Sequence, residues 1–452
     1  MPYQDFREFL AVLRKEGELV DVDRHVPLDD VGKALKKAYE KQAPALMFND
    51  TGSSMPLVGG IYSTRRKALL AFEAEEGTLL GTITARLNNR IPPVYAEGPS
   101  PCQEVVLTGD QIDLGKLPIP TYSPKDGGPY ITAGITVSVD PETSVPDIGH
   151  YRFMYLDKNR MSFLAEPNHR FGKNLAKHRA TGRRPQGALV IGVDPVIAYT
   201  CQFKVSDTTD DWEVAGALRD RPVELVRCKT IDLAVPATAE VVIEFEVDLD
   251  ETHREGPLGE HTGYYDATGR GQPAAVVTAI THRRNPIFQA LLTGKPVTEN
   301  HILKQVPLEV SFTNFMKSRF PNVEKISLRL STSLSNYIVI AMKPRFAGEV
   351  RQVMMTAISS ELRPKWVVIV DPDIDVHNPS DVEWAMAFRV RPRHDVVVFD
   401  DTPRAGCDPS VSDPYATSSA VGIDATIPLG EPFPDVADVP GWQEFELPEI
   451  DR

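Results

Sequence analysis

Residues 251–265 read ETHREGPLGEHTGYY, and two glutamates, Glu255 and Glu260, flank a Gly-Pro-Leu-Gly turn. Gly256, Pro257 and Gly259 break any helix here, so the segment is a rigid loop carrying closely spaced acids and not an amphipathic surface. Two carboxylates held together on fixed backbone push their pKa values apart, and such a pair suits proton delivery to carbon. Seen alone, an ExxxxE pair in an acidic chain reads first as solvated loop acids. The surrounding sequence decides.

Outward from that loop, residues 104–300 consist of short β-branched segments separated by Pro and Gly. Strands are expected at 131–139, 152–156, 161–164, 188–193, 199–205, 223–226, 241–247, 275–280 and 287–292, interrupted by helices near 171–179 and 211–218. Short strands at this density indicate a barrel or sandwich. Before them, Phe6, Phe9, Leu10 and Leu13 fall at helical spacing and stop at Gly17. A strand at 18–22, a helix at 29–41, apolar runs at 45–48 and 57–62 and a helix at 64–73 complete an α/β layer. After residue 301 the α/β pattern returns, with helices through 312–316, 348–362 and 382–388 and strands at 327–330 and 337–342. The strand at 366–370 is almost continuously apolar, which indicates burial on both faces. The fold class is therefore α/β plus β, divided into residues 1–103, 104–300 and 301–429, with an arm at 430–452. Phe433, Trp442 and Phe445 dot that arm, which wraps a neighbour or packs on its own surface, and a homodimer or higher homo-oligomer is expected.

Composition narrows the function. The 452 residues include 49 basic and 63 acidic side chains, net −14, so nucleic acid and anionic membrane are poor partners. No run of 18 apolar residues and no basic-then-apolar leader occurs, which points to the cytoplasm. Cys102, Cys201, Cys228 and Cys407 stand singly, as expected of reduced thiols. Neither GxxxxGK[ST] nor GxGxxG is present, so a phosphorylated cofactor needs another cradle, such as a divalent metal bridging carboxylates to phosphate. Asp147 in PDIGHYRF, His169 in EPNHRFGK and Asp211 in TTDDWEVAG offer an oxygen, nitrogen, oxygen set suited to Mn²⁺ or Mg²⁺. On pattern alone His169 reads as a capping or surface residue, and Asp210 and Asp211 as helix N-cap acids. Arg152 heads the apolar strand FMYL, either as an exposed edge charge or as a fork that grips a carboxylate beside Glu255 or Glu260.

Taken together these stretches resemble the UbiD family of (de)carboxylases, which use prenylated FMN. The carriers are the DxxxxR of Asp147 and Arg152, His169, the acid Asp211 before AGALR, ELVRCKTIDLAVPATAE at 224–240, EGPLGE at 255–260 and WVVIVDPDIDVHNPSDVEWAMAFR at 366–389. Their order and spacing cover nearly the whole chain. The resemblance implies a flavin reductase-like split β-barrel in the middle, between an N-terminal α/β domain and a C-terminal α/β domain reached by a hinge. It implies Mn²⁺ on Asp147, His169 and Asp211, a nearby K⁺ around residues 200–203, and cofactor contacts at Ile148, Gly149, Arg152, Asn168 and Lys204. It also implies a Glu255, Arg152, Glu260 network in which Arg152 orients the substrate carboxylate and Glu260 protonates carbon, with His301 lining the substrate cleft.

The expected reaction is reversible non-oxidative decarboxylation of an aromatic or heteroaromatic acid, pyrrole- or indole-like, releasing CO₂, with the cofactor supplied by a flavin prenyltransferase. Two departures stand out. The family usually carries Asn and Glu where this chain has Asp147 and Asp211, and a Lys where it has Ala420; Lys204 or Lys173 is the expected replacement for that phosphate contact. The rival readings are a non-catalytic carrier of the modified flavin and a flavin reductase-like oxidoreductase.

Overall fold

Helix Phe6–Lys15 forms as its spacing predicts: the Asp5 side chain accepts from Glu8 N–H at 3.0 Å, and Phe6, Phe9, Leu10 and Leu13 are fully buried. Each such side chain contributes about 1.5–3 kcal/mol of burial. The computed structural model describes residues 3–167, 169–182, 184–265, 271–403, 408–411, 417–437, 439–441 and 444–446. In the N-terminal layer, strand Leu19–Val22 runs parallel to Ala45–Phe48, which pairs antiparallel with Leu57–Gly59. Leu57–Gly59 in turn pairs with Phe288–Ala290, so the chain returns to its first layer after the β-rich middle.

The middle is a nine-stranded antiparallel sheet. From one edge it runs Tyr130–Ile131, Phe153–Asp157, Arg160–Phe163, Gly271–His282, Val241–Arg254, Gln186–Ile191, Ile135–Val139 and Pro146–His150, with Val105–Thr108 also on Gly271–His282. Pairing runs from one edge to the other without closing into a ring among the described strands. A small sheet joins Val94–Tyr95, Glu224–Arg227 and Ala234–Pro236.

The stretch 199–205, expected as a strand, is instead the end of helix Pro195–Thr200 and the turn after it. Asp194 explains this: its carboxylate accepts from Val196 N–H at 2.8 Å and Pro195 occupies the first helical position, a start signal that outweighs the β-branched residues. Helix Leu79–Leu87 was also not anticipated; it packs on helices Asp211–Arg219 and Glu299–Lys317.

In the C-terminal layer, Tyr337–Met342, Trp366–Val370 and Thr417–Ala425 lie parallel, with antiparallel Val323–Leu328 and Val396–Pro403 at the edges. Hydrophobic clusters cover both faces, as the apolar run at 366–370 requires. The layers are joined by the long helix Glu299–Lys317. Glu299 fastens its start to the N-terminal sheet, accepting from Tyr62 N–H at 2.8 Å, Gly60 N–H at 2.9 Å and Tyr39 Oη–H at 2.9 Å. Among the described residues no helix is long and apolar enough to cross a membrane, and Cys102, Cys201 and Cys228 are free thiols, Cys407 lying outside the described residues.

Candidate active site

Gly256 sits at φ +91°, which a side chain would strain, and opposite it Gly127 comes so close that an added Cβ would lie 2.5 Å from Gly256 O. The loop after strand Val241–Arg254 is thereby pinned to the segment before Tyr130–Ile131. Asp126 completes the clamp, accepting from Gly259 N–H at 3.1 Å and Ser123 N–H at 2.8 Å. A tight turn closes the loop: Glu260 N–H donates to Tyr264 O and Gly263 N–H to Glu260 O, both at 2.8 Å.

This backbone aims Glu255 and Glu260 at one guanidinium. Arg152, at the mouth of strand Phe153–Asp157, donates through Nε at 2.9 Å and Nη2 at 2.8 Å to the two oxygens of Glu255, and through Nη1 to Glu260. The side chain of Glu255 is wholly buried, Arg152 is 9% exposed and Glu260 13%. Tyr130 Oη–H adds a hydrogen bond to Glu255 at 3.0 Å. Burial works against the Arg152 charge, but the hydrogen bond to Glu255 and the charges of Glu260 and Glu255 outweigh it and hold the pKa up. Burial and the charge of Glu255 keep Tyr130 a neutral donor. Glu255 is thus gripped by three donors, whereas Glu260 takes one N–H from Arg152 and keeps more open surface.

A second cluster lies on the other side of Pro146–His150. Asp147 and Asp211, both buried, share Arg170: Nη1 lies 2.9 Å from each oxygen of Asp211, and Nε 3.5 Å from Asp147. Nη2 reaches the carbonyls of Pro146 at 3.0 Å, Thr209 at 3.1 Å and Asp207 at 3.5 Å. Asp211 also accepts from Ile148 N–H at 2.9 Å, so that amide is engaged. Burial pushes both carboxyls up, Asp211 to about 7, against the pull of Arg170. Asp210, not Asp211, is the N-cap of helix Asp211–Arg219.

His169 N-caps helix Arg170–Thr181 at the exposed rim. Crowding, then the charges of Lys204, Lys304, Arg363 and Lys173, lowers its pKa to about 4. Among the described residues no three His, Cys, Asp or Glu side chains are placed to hold a metal ion. The carboxylates converge, but on Arg170, and the expected metal set does not fit as it stands. A crevice of ≈ 60 Å³ beside Arg170 is far smaller than a flavin needs.

Burial, and after it the charge of Lys304, lowers the pKa of His150, His169, His261 and His301 alike. The charges of Lys204 and Arg363 act with Lys304 on His169, so that imidazole stands in a basic locale in a chain of net charge −14. Thr262 Oγ1 and Asn300 Oδ1, buried without hydrogen-bond partners, adjoin His261 and His301. Gly149 and Ile148 lie on the sheet's edge strand beside this locale, and Lys204 is exposed; Asn168 lies outside the described residues. Lys173 pairs with Asp207 at 2.5 Å, and Ala420 is buried in the C-terminal core. His301 is buried with both ring nitrogens engaged: Nδ1 accepts from Thr298 N–H at 3.0 Å and Nε2 donates to His261 O at 2.7 Å.

Sequence reasoning missed Tyr130, Asp126, Arg170 and Ser333, which touches His261. Of these only Arg170 had a signal: a cation directly after His169 in sequence.

Comparison with known proteins bears on the family and the fold. Three family models match in order: the 3-octaprenyl-4-hydroxybenzoate carboxy-lyase N-terminal domain at residues 10–87, the Rift-related domain at 94–296 and the C-terminal domain at 301–425. The UbiD-class enzyme HmfF from Pelotomaculum thermopropionicum, in complex with FMN, is 31% identical with a TM-score of 0.90, over 98% of this chain and 99% of that one. An evolved dimeric form of that enzyme, in complex with prFMN, gives 31% and 0.87 over 98% and 99%. Vanillic acid decarboxylase from Sedimentibacter hydroxybenzoicus, in closed form, gives 30% and 0.88 over 98% of both chains. Fold and relatives together define a carboxy-lyase of a class solved with bound flavin. The chain belongs to the UbiD family.

Proposed function

We propose that this enzyme catalyses the reversible non-oxidative decarboxylation of an aromatic or heteroaromatic acid of the pyrrole or indole kind, with prenylated FMN as cofactor. The observation that carries the reading is Arg152 held between a fully clamped Glu255 and a lightly held Glu260. When bound, the modified flavin supplies the electron sink for the bond to CO₂. Arg152 orients the substrate carboxylate with its planar fork. Glu255, fixed by Tyr130, keeps that fork in place. Glu260 hands its proton to the carbon that loses CO₂, and takes one up in the carboxylating direction.

Lys204, Lys304 and Arg363, whose charges act together on His169, would hold the cofactor phosphate in place of the lysine missing at Ala420. Ile148 and Gly149 would line the flavin seat, a contact that the resemblance extends to Asn168, and His301 shapes the substrate side through its backbone contact and not through a free ring nitrogen. Mn²⁺ on Asp147, His169 and Asp211, and K⁺ near residues 200–203, come with the resemblance, but binding Mn²⁺ requires Arg170 to release Asp211, and no step here depends on either ion. The same proposal includes the split-barrel description of the central sheet, the division at residues 103, 300 and 429, a homodimer or higher assembly, and a cytoplasmic enzyme served by a flavin prenyltransferase.

The test is co-expression with a flavin prenyltransferase, a UV-visible spectrum of the purified protein, and CO₂ release from pyrrole-, indole-, furan- and hydroxybenzene-carboxylates. Flavin absorbance with CO₂ release from a heteroaromatic acid supports the proposal. Flavin absorbance with no CO₂ from any acid identifies a carrier, and hydride transfer from a nicotinamide in place of CO₂ release identifies an oxidoreductase.

A further inference from the structure

The tip of the catalytic loop is held from two sides by parts of the molecule that belong to different layers. On one side, His301 Nε2 donates to the His261 carbonyl at 2.7 Å. His301 stands in the first turn of helix Glu299–Lys317, the turn that Glu299 ties to the N-terminal sheet. On the other side, His261 Nδ1 meets Ser333 Oγ. Ser333 is buried at φ +61°, beside Leu334 at φ +67°, an arrangement non-glycine residues seldom adopt unless their surroundings enforce it. Leu334 supplies that enforcement, since its side chain is buried in the C-terminal core. Ser333 is therefore anchored in the C-terminal layer, and His301 stands in the turn anchored to the N-terminal one.

His261 follows Glu260 directly, and both lie in one short turn closed by the Glu260 N–H to Tyr264 O and Gly263 N–H to Glu260 O hydrogen bonds at 2.8 Å. Gly263, at φ +88°, presses on Lys295 so closely that an added Cβ would lie 2.8 Å from Lys295 Cα. A turn this tight and this confined transmits displacement of His261 to Glu260. We propose that His261 and Ser333 form a joint through which the seating of the C-terminal domain sets the position of Glu260 against Arg152. His261 and Ser333 are positioning residues; neither touches the reacting carbon. The inference rests on the reading of Glu260 as the proton donor, but its mechanical half is testable without that reading.

The experiment is hydrogen–deuterium exchange on the full chain as wild type, Ser333→Ala, His261→Ala and His261→Asn. The asparagine amide reaches about as far as Nδ1 and keeps the contact. Loss of one hydrogen bond predicts that amides of residues 260–264 exchange about tenfold faster in Ser333→Ala and His261→Ala, with His261→Asn near wild type. Strand Phe153–Asp157 is the unchanged reference. Faster exchange confined to residues 330–337 in Ser333→Ala, or equal effects of His261→Asn and His261→Ala, overturns the joint. If His261→Ala does not fold, Ser333→Ala, which loses a single hydroxyl, decides alone.

In flavin-loaded protein, with the acid that turns over, the joint predicts about a tenfold fall in kcat with KM within about twofold for Ser333→Ala, and no further fall when His261→Ala is added. Unchanged kcat despite faster exchange overturns the catalytic half. If no acid of the panel turns over, the functional reading fails while the exchange data still judge the joint.

Discussion

Two arginines in this protein each stand between two carboxylates, and they are built for different work. Arg170 donates to both oxygens of Asp211, approaches Asp147, and donates to the backbone carbonyls of Pro146, Asp207 and Thr209, so it is fixed to main chain on two segments. Arg152 grips one buried glutamate with two N–H groups and touches a second, more accessible one with the third nitrogen. A guanidinium with one nitrogen committed to backbone carbonyls and the others to buried acids acts as a strut. One that holds Glu255 with two nitrogens and Glu260 with a third is, in the proposed reaction, the group that exchanges a partner for a substrate carboxylate. The contrast is one of partners and not of charge, since each cluster holds two acids and one cation.

The same conservative change at each arginine sharpens that contrast most. Arg152→Lys keeps the charge and loses the fork, so turnover falls about a hundredfold while the thermal midpoint moves little. Arg170→Lys leaves the carbonyls and Asp211 under-bonded, so stability falls by about 3 kcal/mol in urea titration. If both variants lose turnover equally at unchanged stability, the distinction between site and strut is wrong.

Acidification probes the frame around the Arg152 site. Burial, then Lys304, lowers the His301 pKa to about 4 in the folded chain, below the ordinary value of 6.5. The unfolded chain therefore takes up the proton first, and stability present at pH 7 is lost as pH falls from 6.5 toward 4. At pH 5 the loss from this group is about 2 kcal/mol. Urea midpoints at pH 7 and pH 5 should differ by less in His301→Gln than in wild type; an undiminished difference assigns the loss elsewhere.

The smallest effect is expected from Tyr130→Phe, which removes one of three donors to Glu255 and should lower kcat about tenfold without displacing flavin. A variant as active as wild type means Arg152 alone suffices to hold Glu255.

Much of this arrangement was legible in the chain because it is local. Gly256, Pro257 and Gly259 announced a rigid acidic loop, and the spacing of Phe6, Phe9, Leu10 and Leu13 announced a buried helix face. What stayed hidden depends on partners far away in sequence. Tyr130 reaches Glu255 across 125 residues and Asp126 reaches Gly259 across 133, and no periodicity encodes such pairings. Strand Pro146–His150 was not among the expected strands; pairing with Ile135–Val139 makes it an edge strand despite its Pro and Gly. The stretch 199–205 misled for the opposite reason, its β-branched residues masking the helix start that Asp194 and Pro195 set. At Asp147 and Asp211 two acids pointed to a metal, and the side chain next to His169 that neutralises them went unweighed.

The central claim is that Glu260 carries the proton to carbon. Its most direct test is CO₂ release by flavin-loaded Glu260→Gln, with the UV-visible spectrum confirming that cofactor is retained. A spectrum like wild type with turnover lower by about a thousandfold is the result predicted here. Turnover equal to wild type at the same flavin content would contradict it.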